Sequence, residues 1–248
     1  MKIAISGKGG VGKTTIMALL AKQLQSNGKD VLVIDADPSP HMAQTIGIEN
    51  PETITPIAEM TKMLSERAGK VEGSPFYNIN PKVDDLPKEY MIEKDGIKLM
   101  VLGAIQTAEG GCACPENTVL KRLLTKLLLS PGQTILLDME AGVEHLGRGT
   151  VAGVDILLVV VIPSKSSVRT AKKIHKLALE SGIPRIAFVG NMIDDQDDET
   201  FLTSALGEKP IAFFSNSADI RKAERSGKAI TDEAKDSFEV AQLLLNSI

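Results

Sequence analysis

The sequence predicts a doubly wound α/β fold, in which helices flank a mostly parallel β-sheet, in one domain spanning residues 1–248. Two observations predict it. Short apolar runs typical of doubly buried strands alternate along the chain with longer segments of helical periodicity. The first unit, residues 3–34, reads as a complete strand–helix–strand sequence with parallel strands. We therefore expect the active residues at the carboxyl edge of the sheet.

A glycine-rich segment directly follows the first predicted strand and opens the first helix. It fits the pattern G-x-x-x-x-G-K-[ST] and consists of Gly7, Lys8, Gly9, Gly10, Val11, Gly12, Lys13, Thr14 and Thr15. Its glycines let successive backbone N–H groups converge on phosphate oxygens at a helix N-terminus. Lys13 is then expected to reach the β- and γ-phosphates, and Thr14 to place its hydroxyl on Mg²⁺. A plain glycine-rich turn is the alternative, and the strand–loop–helix context argues against it.

Carboxylates end two further predicted strands at the same edge of the sheet. Residues 31–34 lead into Asp35 and Asp37, and residues 134–137 lead into Asp138. Across from a phosphate loop, such groups manage Mg²⁺ and an attacking water. Asp138 has the position of a Walker B aspartate, which binds Mg²⁺ through water. For Asp35, support of Asp37 or of the Mg²⁺ shell on one side and an Asx-type turn that closes the strand on the other are equal alternatives.

Hydrophobic periodicity and turn residues predict the remaining elements. The expected helices are residues 16–24, 55–68, 116–129, 168–180 and 238–245, and the expected strands are residues 97–102, 155–162, 186–191 and 210–214. Between these elements, residues 69–96 carry three prolines and are predicted to form an irregular surface insertion with a short strand pair.

Composition and charge limit the classes of partner. The net charge is −4 and aromatic residues make up 3% of the chain, so neither a global basic field nor a set of stacking platforms for nucleic acid is expected. The longest apolar run, residues 156–162, is far shorter than the roughly 20 residues that span a bilayer. The N-terminus runs directly into the glycine loop and leaves no room for a signal peptide. We therefore expect a cytoplasmic protein that binds neither nucleic acid nor membrane.

The loop sequence G-K-G-G-V-G-K-T-T resembles the deviant phosphate loop of the MinD, ParA, nitrogenase iron-protein and arsenical-pump class of ATPases. The resemblance implies that Lys8 crosses a homodimer interface to the nucleotide of the other subunit. It also implies that Asp37 orients the attacking water and that Asn191 meets the adenine ring. The expected cofactors are ATP or ADP with Mg²⁺. From the residues alone, Lys8 could be a spare surface lysine and Asn191 a turn former.

The two cysteines, Cys112 and Cys114, lie in a loop at residues 110–117, just before a predicted helix. A helix N-terminus favours thiolate, which is the form that binds metal. Two thiolates make half of a four-ligand site, and a twofold axis in the dimer suggested by Lys8 would bring four together. Buried cysteines and a redox pair are the alternatives. Flanking glycines and proline argue against core packing, and a C-x-C disulfide would be strained.

The C-x-C before a helix and the run D-M-E-A-G-V-E-H-L-G-R-G-T at residues 138–150 resemble the CooC group of nickel-insertion accessory ATPases. This group matures carbon monoxide dehydrogenase or acetyl-CoA synthase. The resemblance implies an ATP-hydrolysing metallochaperone that binds nickel between two subunits, with such a nickel enzyme as its client. Zinc is the competing metal, because thiolates also bind Zn²⁺ well. The alternative function is a nucleotide-dependent dimerisation switch that acts on a protein partner without metal.

Overall fold

A β-sheet forms the centre of the protein in the computed structural model, which describes residues 1–70, 76–104, 115–139 and 153–248. Its strands are β1 (Lys2–Gly7), β2 (Val31–Ala36), β3 (Ile92–Lys94), β4 (Ile97–Val101), β5 (Thr134–Met139), β6 (Ile156–Val161), β7 (Ile186–Ile193) and β8 (Ala212–Ser215). The strand order is β3-β4-β2-β5-β1-β6-β7-β8. Every neighbouring pair is parallel except β3 and β4, which form a hairpin. The strand order therefore places β1 centrally, between β5 and β6.

Helices connect the strands and cover the sheet. They are α1 (Lys13–Ser26), α2 (Met42–Thr45), α3 (Thr61–Arg67), α4 (Leu86–Tyr90), α5 (Pro115–Leu129), α6 (Lys165–Ser181), α7 (Gln196–Leu206), α8 (Ala218–Ser226), α9 (Ile230–Glu233) and α10 (Lys235–Asn246). The local sequence sets their ends. For α6, the Ser164 hydroxyl accepts the N–H of Ser167 as an N-cap, and Gly182, at φ 84°, ends the helix in the left-handed conformation.

Two apolar clusters cover the two faces of the sheet. In β1, Ile3 and Ile5 belong to one cluster and Ala4 to the other, because successive side chains of a strand point to opposite faces. The first cluster contains α1 and α10, and the second contains α5 and α6. Helices on both faces of a mostly parallel sheet confirm the predicted fold class.

The segment before β4 differs from the periodicity-based prediction. One helix was predicted over residues 55–68, but the structure has a 3-10 turn at Ile57–Glu59 followed by α3. Met60, at φ −80° and ψ 56°, separates them. The predicted helix was too long. Ile57 and Leu64 are both buried at helical spacing, as on one face of a single helix, but they belong to two separate elements that each direct a side chain into the core.

Part of the segment 76–96 packs into the core, and the segment contains secondary structure. Val83 and Leu86, the latter at the start of α4, are buried in the same apolar cluster as α5. A strand pair was expected inside this segment, but its described part contains only one strand, β3, which pairs with β4 beyond it through Asp95 and Gly96, both with positive φ angles. This part of the predicted surface insertion therefore contributes to the core. Among the described helices, none has the length and apolarity needed to cross a membrane.

Candidate nucleotide-binding site

The glycine loop between β1 and α1 has the backbone geometry of an anion-binding loop. A Cβ on Gly7 would lie 2.6 Å from the carbonyl oxygen of Val160 on β6, so only glycine fits this close to the neighbouring strand. Gly12 is the N-cap of α1 and has φ 88°, a conformation that side chains disfavour. The loop thus opens directly onto the N-terminus of α1, whose first N–H groups lack intrahelical partners.

Asn191 joins β7 to this loop. Its Nδ2 donates a buried hydrogen bond of 2.8 Å to the carbonyl oxygen of Val11. The side chain also limits the space at Gly12, where a Cβ would lie 2.3 Å from the same Nδ2. Asn191 is thus a structural support of the loop and lines the adjacent cleft. Its contact with adenine remains a prediction from the family resemblance.

Asp138 is a buried carboxylate near the carboxyl end of β5. It lies beside Asp35 in the register of β5 and β2, and it is only 1% exposed. In the described part of the chain neither of its oxygens accepts a hydrogen bond of regular geometry, although the Thr14 hydroxyl lies close enough to interact with it. Burial raises the pKa of Asp138 to about 7, and the nearby Asp35 carboxylate adds to this rise, whereas the Thr14 hydroxyl and Lys13 ammonium oppose it.

Asp35 has a different role from its neighbour. Its Oδ1 accepts the N–H of Asp37 at 3.2 Å, and its Oδ2 accepts the N–H of Met42 at 3.0 Å. Burial raises the pKa of Asp35 to about 6, against the effect of these two hydrogen bonds. The contacts are those of the Asx-type turn that was one of the two sequence interpretations, because they close β2 and position α2.

The donor groups around Asp138 fit a magnesium ion. The loop places Thr14 next to this buried carboxylate, and Lys13, only 7% exposed, lies close enough to lower its pKa. Mg²⁺ prefers one or two carboxylate or hydroxyl oxygens, together with waters and substrate phosphates. A divalent cation would therefore compensate a buried charge that the described residues leave without a hydrogen bond of regular geometry.

An open cleft of about 740 Å³ extends from the loop toward the carboxyl end of β8. Asp37 lines this cleft, is half-buried and accepts the N–H of Ser39 at 2.9 Å. Ser215 and Asn216 at the end of β8 and residues of α8 line it as well. The sequence predicted strand β8 at residues 210–214. It did not predict α8, although Ser217 and Gly227, which cap this helix, were visible signals.

Comparison with known proteins identifies this arrangement. Residues 2–246 match the family described as CbiA: CobQ/CobB/MinD/ParA nucleotide binding domain. The chain belongs to this nucleotide-binding family. The carbon monoxide dehydrogenase accessory protein CooC of Rhodospirillum rubrum is 42% identical over 206 residues, which cover 82% of this chain and 78% of that protein. An uncharacterized ATP-binding protein of Methanocaldococcus jannaschii is 38% identical over 248 residues, or 98% of this chain and 96% of that protein.

Solved structures of the MinD/ParA type share the fold. The cell division ATPase MinD of Pyrococcus furiosus superposes with a TM-score of 0.69 at 19% identity, over 100% of this chain and 99% of that one. A ParA family ATPase from Chlorobium tepidum gives a TM-score of 0.68 at 20% identity, over 99% of this chain and 96% of that one. At this identity the likeness concerns the fold alone.

Of the three residues expected to act at a dimer interface, the structure describes Lys8 but not the two cysteines. The Lys8 ammonium is exposed and donates to the Ser166 hydroxyl, at 3.0 Å, in the first turn of α6. Cys112 and Cys114 lie outside the described residues, as does nearly all of the run at 138–150. In the described ranges, no three His, Cys, Asp or Glu side chains come together as a metal cluster. The cysteine site therefore remains a prediction from the sequence.

Proposed function

We propose that this protein is an ATP-hydrolysing metallochaperone. In this proposal it binds nickel through Cys112 and Cys114 at a homodimer interface and assists metal-cluster maturation of carbon monoxide dehydrogenase or acetyl-CoA synthase. The observation that carries the nucleotide chemistry is the buried Asp138 carboxylate beside Thr14 and the glycine loop, which makes no hydrogen bond of regular geometry with the described residues. The similarity to CooC over most of both chains supports the choice of client.

Each described residue of the site has a defined task in ATP hydrolysis. The loop N–H groups and Lys13 bind the phosphates, and Thr14 and Asp138 would hold Mg²⁺, which neutralises charge on the transferred phosphoryl group. Asp37, at the cleft rim, would orient the attacking water. Asp35 keeps the Asp37 segment in place through its hydrogen bonds to the backbone.

Lys8 gives the first test of the dimer. In the proposal its ammonium leaves Ser166 and reaches the nucleotide of the other subunit. The Lys8→Ala variant should lose ATP-dependent dimerisation, with association weakened by roughly tenfold or more, because a charge-assisted contact is removed. Light scattering after size-exclusion chromatography, with and without ATP, measures this directly.

ATP binding to the Lys8→Ala monomer should persist, since Lys13 is unchanged. Lys29→Ala is the matched control, because Lys29 is also an exposed lysine and its side chain makes no hydrogen bond or ion pair in the described part of the chain. A Lys8→Ala protein that still dimerises with ATP as the wild type does would contradict the role of Lys8 across the interface.

Removal of both cysteines tests the metal site. A protein carrying Cys112→Ala and Cys114→Ala should still bind nucleotide and should lose the nickel ion shared by a dimer, since four thiolates supply that site. Titration of the reduced protein with Ni²⁺ and with Zn²⁺, while the mass in solution is followed, checks both points. Metal binding that is unchanged in this variant would refute the metallochaperone and favour a metal-free dimerisation switch.

A further inference from the structure

Helix α6 carries a row of positive charges on its exposed side. We call this row the cationic stripe, and its members are Lys165, Arg169, Lys172 and Lys176. With 3.6 residues per turn, these positions fall within about 60° of arc around the helix. The buried residues of α6, such as Ala171 and Ile174, lie on nearly the opposite side. The stripe is therefore a continuous surface feature along the length of the helix.

Three of the four charges of the stripe gain no stabilising ion pair on the helix that carries them within the described residues. Lys165, Arg169 and Lys172 form no ion pair within the described residues, and Lys176 meets only Glu180, at 3.9 Å. Like charges three and four positions apart repel each other on a helix. Lys165 also stands in the first turn, which contains no acidic residue and where the helix dipole disfavours a cation. A partner of opposite charge would offset these unfavourable terms.

The stripe begins at the nucleotide site. The Lys8 ammonium contacts Ser166, 3.0 Å away, so the phosphate loop and the first turn of α6 touch each other. Because α6 follows β6, the stripe starts at the carboxyl edge of the sheet, where the cleft opens, and runs toward the opposite edge. A molecule bound to the stripe would therefore lie beside the nucleotide.

The surroundings of the stripe favour a protein over a broader polyanion. Five acidic residues lie just before and in the first turn of the neighbouring helix α7, which packs against α6: Asp194, Asp195, Asp197, Asp198 and Glu199. At the far end of α6, Leu179 is 58% exposed and Glu180 is also exposed. A nucleic-acid duplex or an anionic membrane is wider than one helix and would meet these acids, and the net charge of the whole chain is −4. A narrow acidic patch of a protein matches both the cations and the exposed leucine.

We propose that the cationic stripe of α6 docks an acidic surface of the client protein beside the nucleotide site. The identity of that client rests on the proposed function, whereas the charge of the docked surface follows from the stripe. Exposed charges at such a surface mainly speed association and make it salt-dependent. The stripe would thus bring the client to the end of the molecule where ATP is bound.

Two triple variants test the stripe. The stripe variant replaces three of its residues by glutamine: Lys165, Arg169 and Lys172. The control variant makes the same change in net charge at three exposed lysines whose side chains have no ion pair among the described residues: Lys29, Lys62 and Lys88. Each full-length protein is mixed, with ATP and at several salt concentrations, with purified metal-free carbon monoxide dehydrogenase, with poly-L-glutamate and with mixed-sequence duplex DNA. Association rates and affinities are measured by surface plasmon resonance.

The expected result is that wild-type and control proteins bind the dehydrogenase and poly-L-glutamate alike. The stripe variant should associate roughly tenfold more slowly, and added salt should reduce the wild-type rate to a similar degree. Nucleotide binding should be equal in all three proteins, which shows that the stripe variant is folded. Tighter binding to the DNA than to poly-L-glutamate at the same salt concentration would overturn the proposal in favour of a nucleic-acid partner.

The outcomes separate the stripe from the proposed client. If the stripe variant and the control variant bind the dehydrogenase equally, the docking surface lies elsewhere and the proposal for α6 is refuted, while the client remains. If the wild type binds poly-L-glutamate through the stripe but does not bind the dehydrogenase, the proposed client is wrong and the stripe serves another acidic protein. Absence of binding to both probes overturns the proposal for α6.

Discussion

The Asp138→Asn variant is expected to unfold less easily than the wild type in the absence of Mg²⁺ and nucleotide, and to lose most of its ATPase activity. Above about pH 7, where Asp138 is mostly ionised, the stability gain should be about 1–3 kcal/mol, because the substitution removes a buried charge for which the described residues provide no hydrogen bond of regular geometry. The loss of Mg²⁺-dependent ATP turnover should be about 100-fold or more, since a group that positions charge at the reacting phosphate is lost. Chemical denaturation and a steady-state phosphate-release assay measure the two effects.

Stability should also depend on pH in a defined direction. The pKa of Asp138 is raised to about 7 by burial, so between about pH 4 and pH 7 the folded chain holds a proton that the unfolded chain has released. The contribution of Asp138 to the stability of the nucleotide-free wild type should therefore be largest below this window, and about 2–4 kcal/mol should be lost as the pH rises through it. The Asp138→Asn variant should keep only the smaller total change that Asp35, with its pKa raised to about 6, contributes over a narrower pH range.

Asp232→Asn is the control for the Asp138→Asn measurements. It makes the same chemical change at an exposed position of α9, outside the sheet, and should leave both the ATPase activity and the pH dependence of stability unchanged. Addition of Mg²⁺ with ADP should stabilise the wild type more than Asp138→Asn, because only the wild type offers the carboxylate. An Asp138→Asn protein that is less stable than the wild type and still hydrolyses ATP would exclude the magnesium role.

The Gly12→Ala variant is expected to lose nucleotide affinity by about 100-fold and to be destabilised by about 1–3 kcal/mol. Gly12 has φ 88°, and a Cβ there would lie 2.3 Å from Nδ2 of Asn191. Relief of this clash requires the loop to move or Asn191 to give up its hydrogen bond to Val11. Either change displaces the N–H groups that would face the phosphates. Calorimetric titration with Mg·ADP and thermal unfolding measure the two effects.

Gly9→Ala is the matched control within the same loop. A Cβ at Gly9 meets no heavy atom within 4 Å, so its effect on the free energy of unfolding should be small. Combining Gly12→Ala with Asn191→Ala removes the clash but leaves the unfavourable φ angle, and the double variant should therefore recover only part of the lost stability. Wild-type affinity in Gly12→Ala would show that the loop tolerates the displacement and that Asn191 does not support it.

The glycine loop, the buried strands and Asp138 could be predicted because their signals are local. A loop that must pack against a strand and deliver phosphates to a helix needs glycines and a lysine at fixed spacing, and all of them lie within residues 7–15. The α3 region shows the limit of such reasoning. Apolar residues at helical spacing around Ile57 and Leu64 predicted one helix, but the packing of both side chains in the core is compatible with a 3-10 turn and a shorter helix.

The sequence alone determined the fold class and the nucleotide-binding loop of this protein, since a periodic pattern and a contiguous motif depend only on neighbouring residues. The tertiary structure decided which distant groups meet. Asn191 reaches Val11 across 180 positions of sequence, and Lys8 reaches Ser166 across 158. It also decided that Asp138 is buried with no hydrogen bond of regular geometry in the described part of the chain, whereas the adjacent Asp35 accepts hydrogen bonds from backbone N–H groups. Such differences depend on how parallel strands align and on which loop covers each strand end, and no single segment of the chain contains that information.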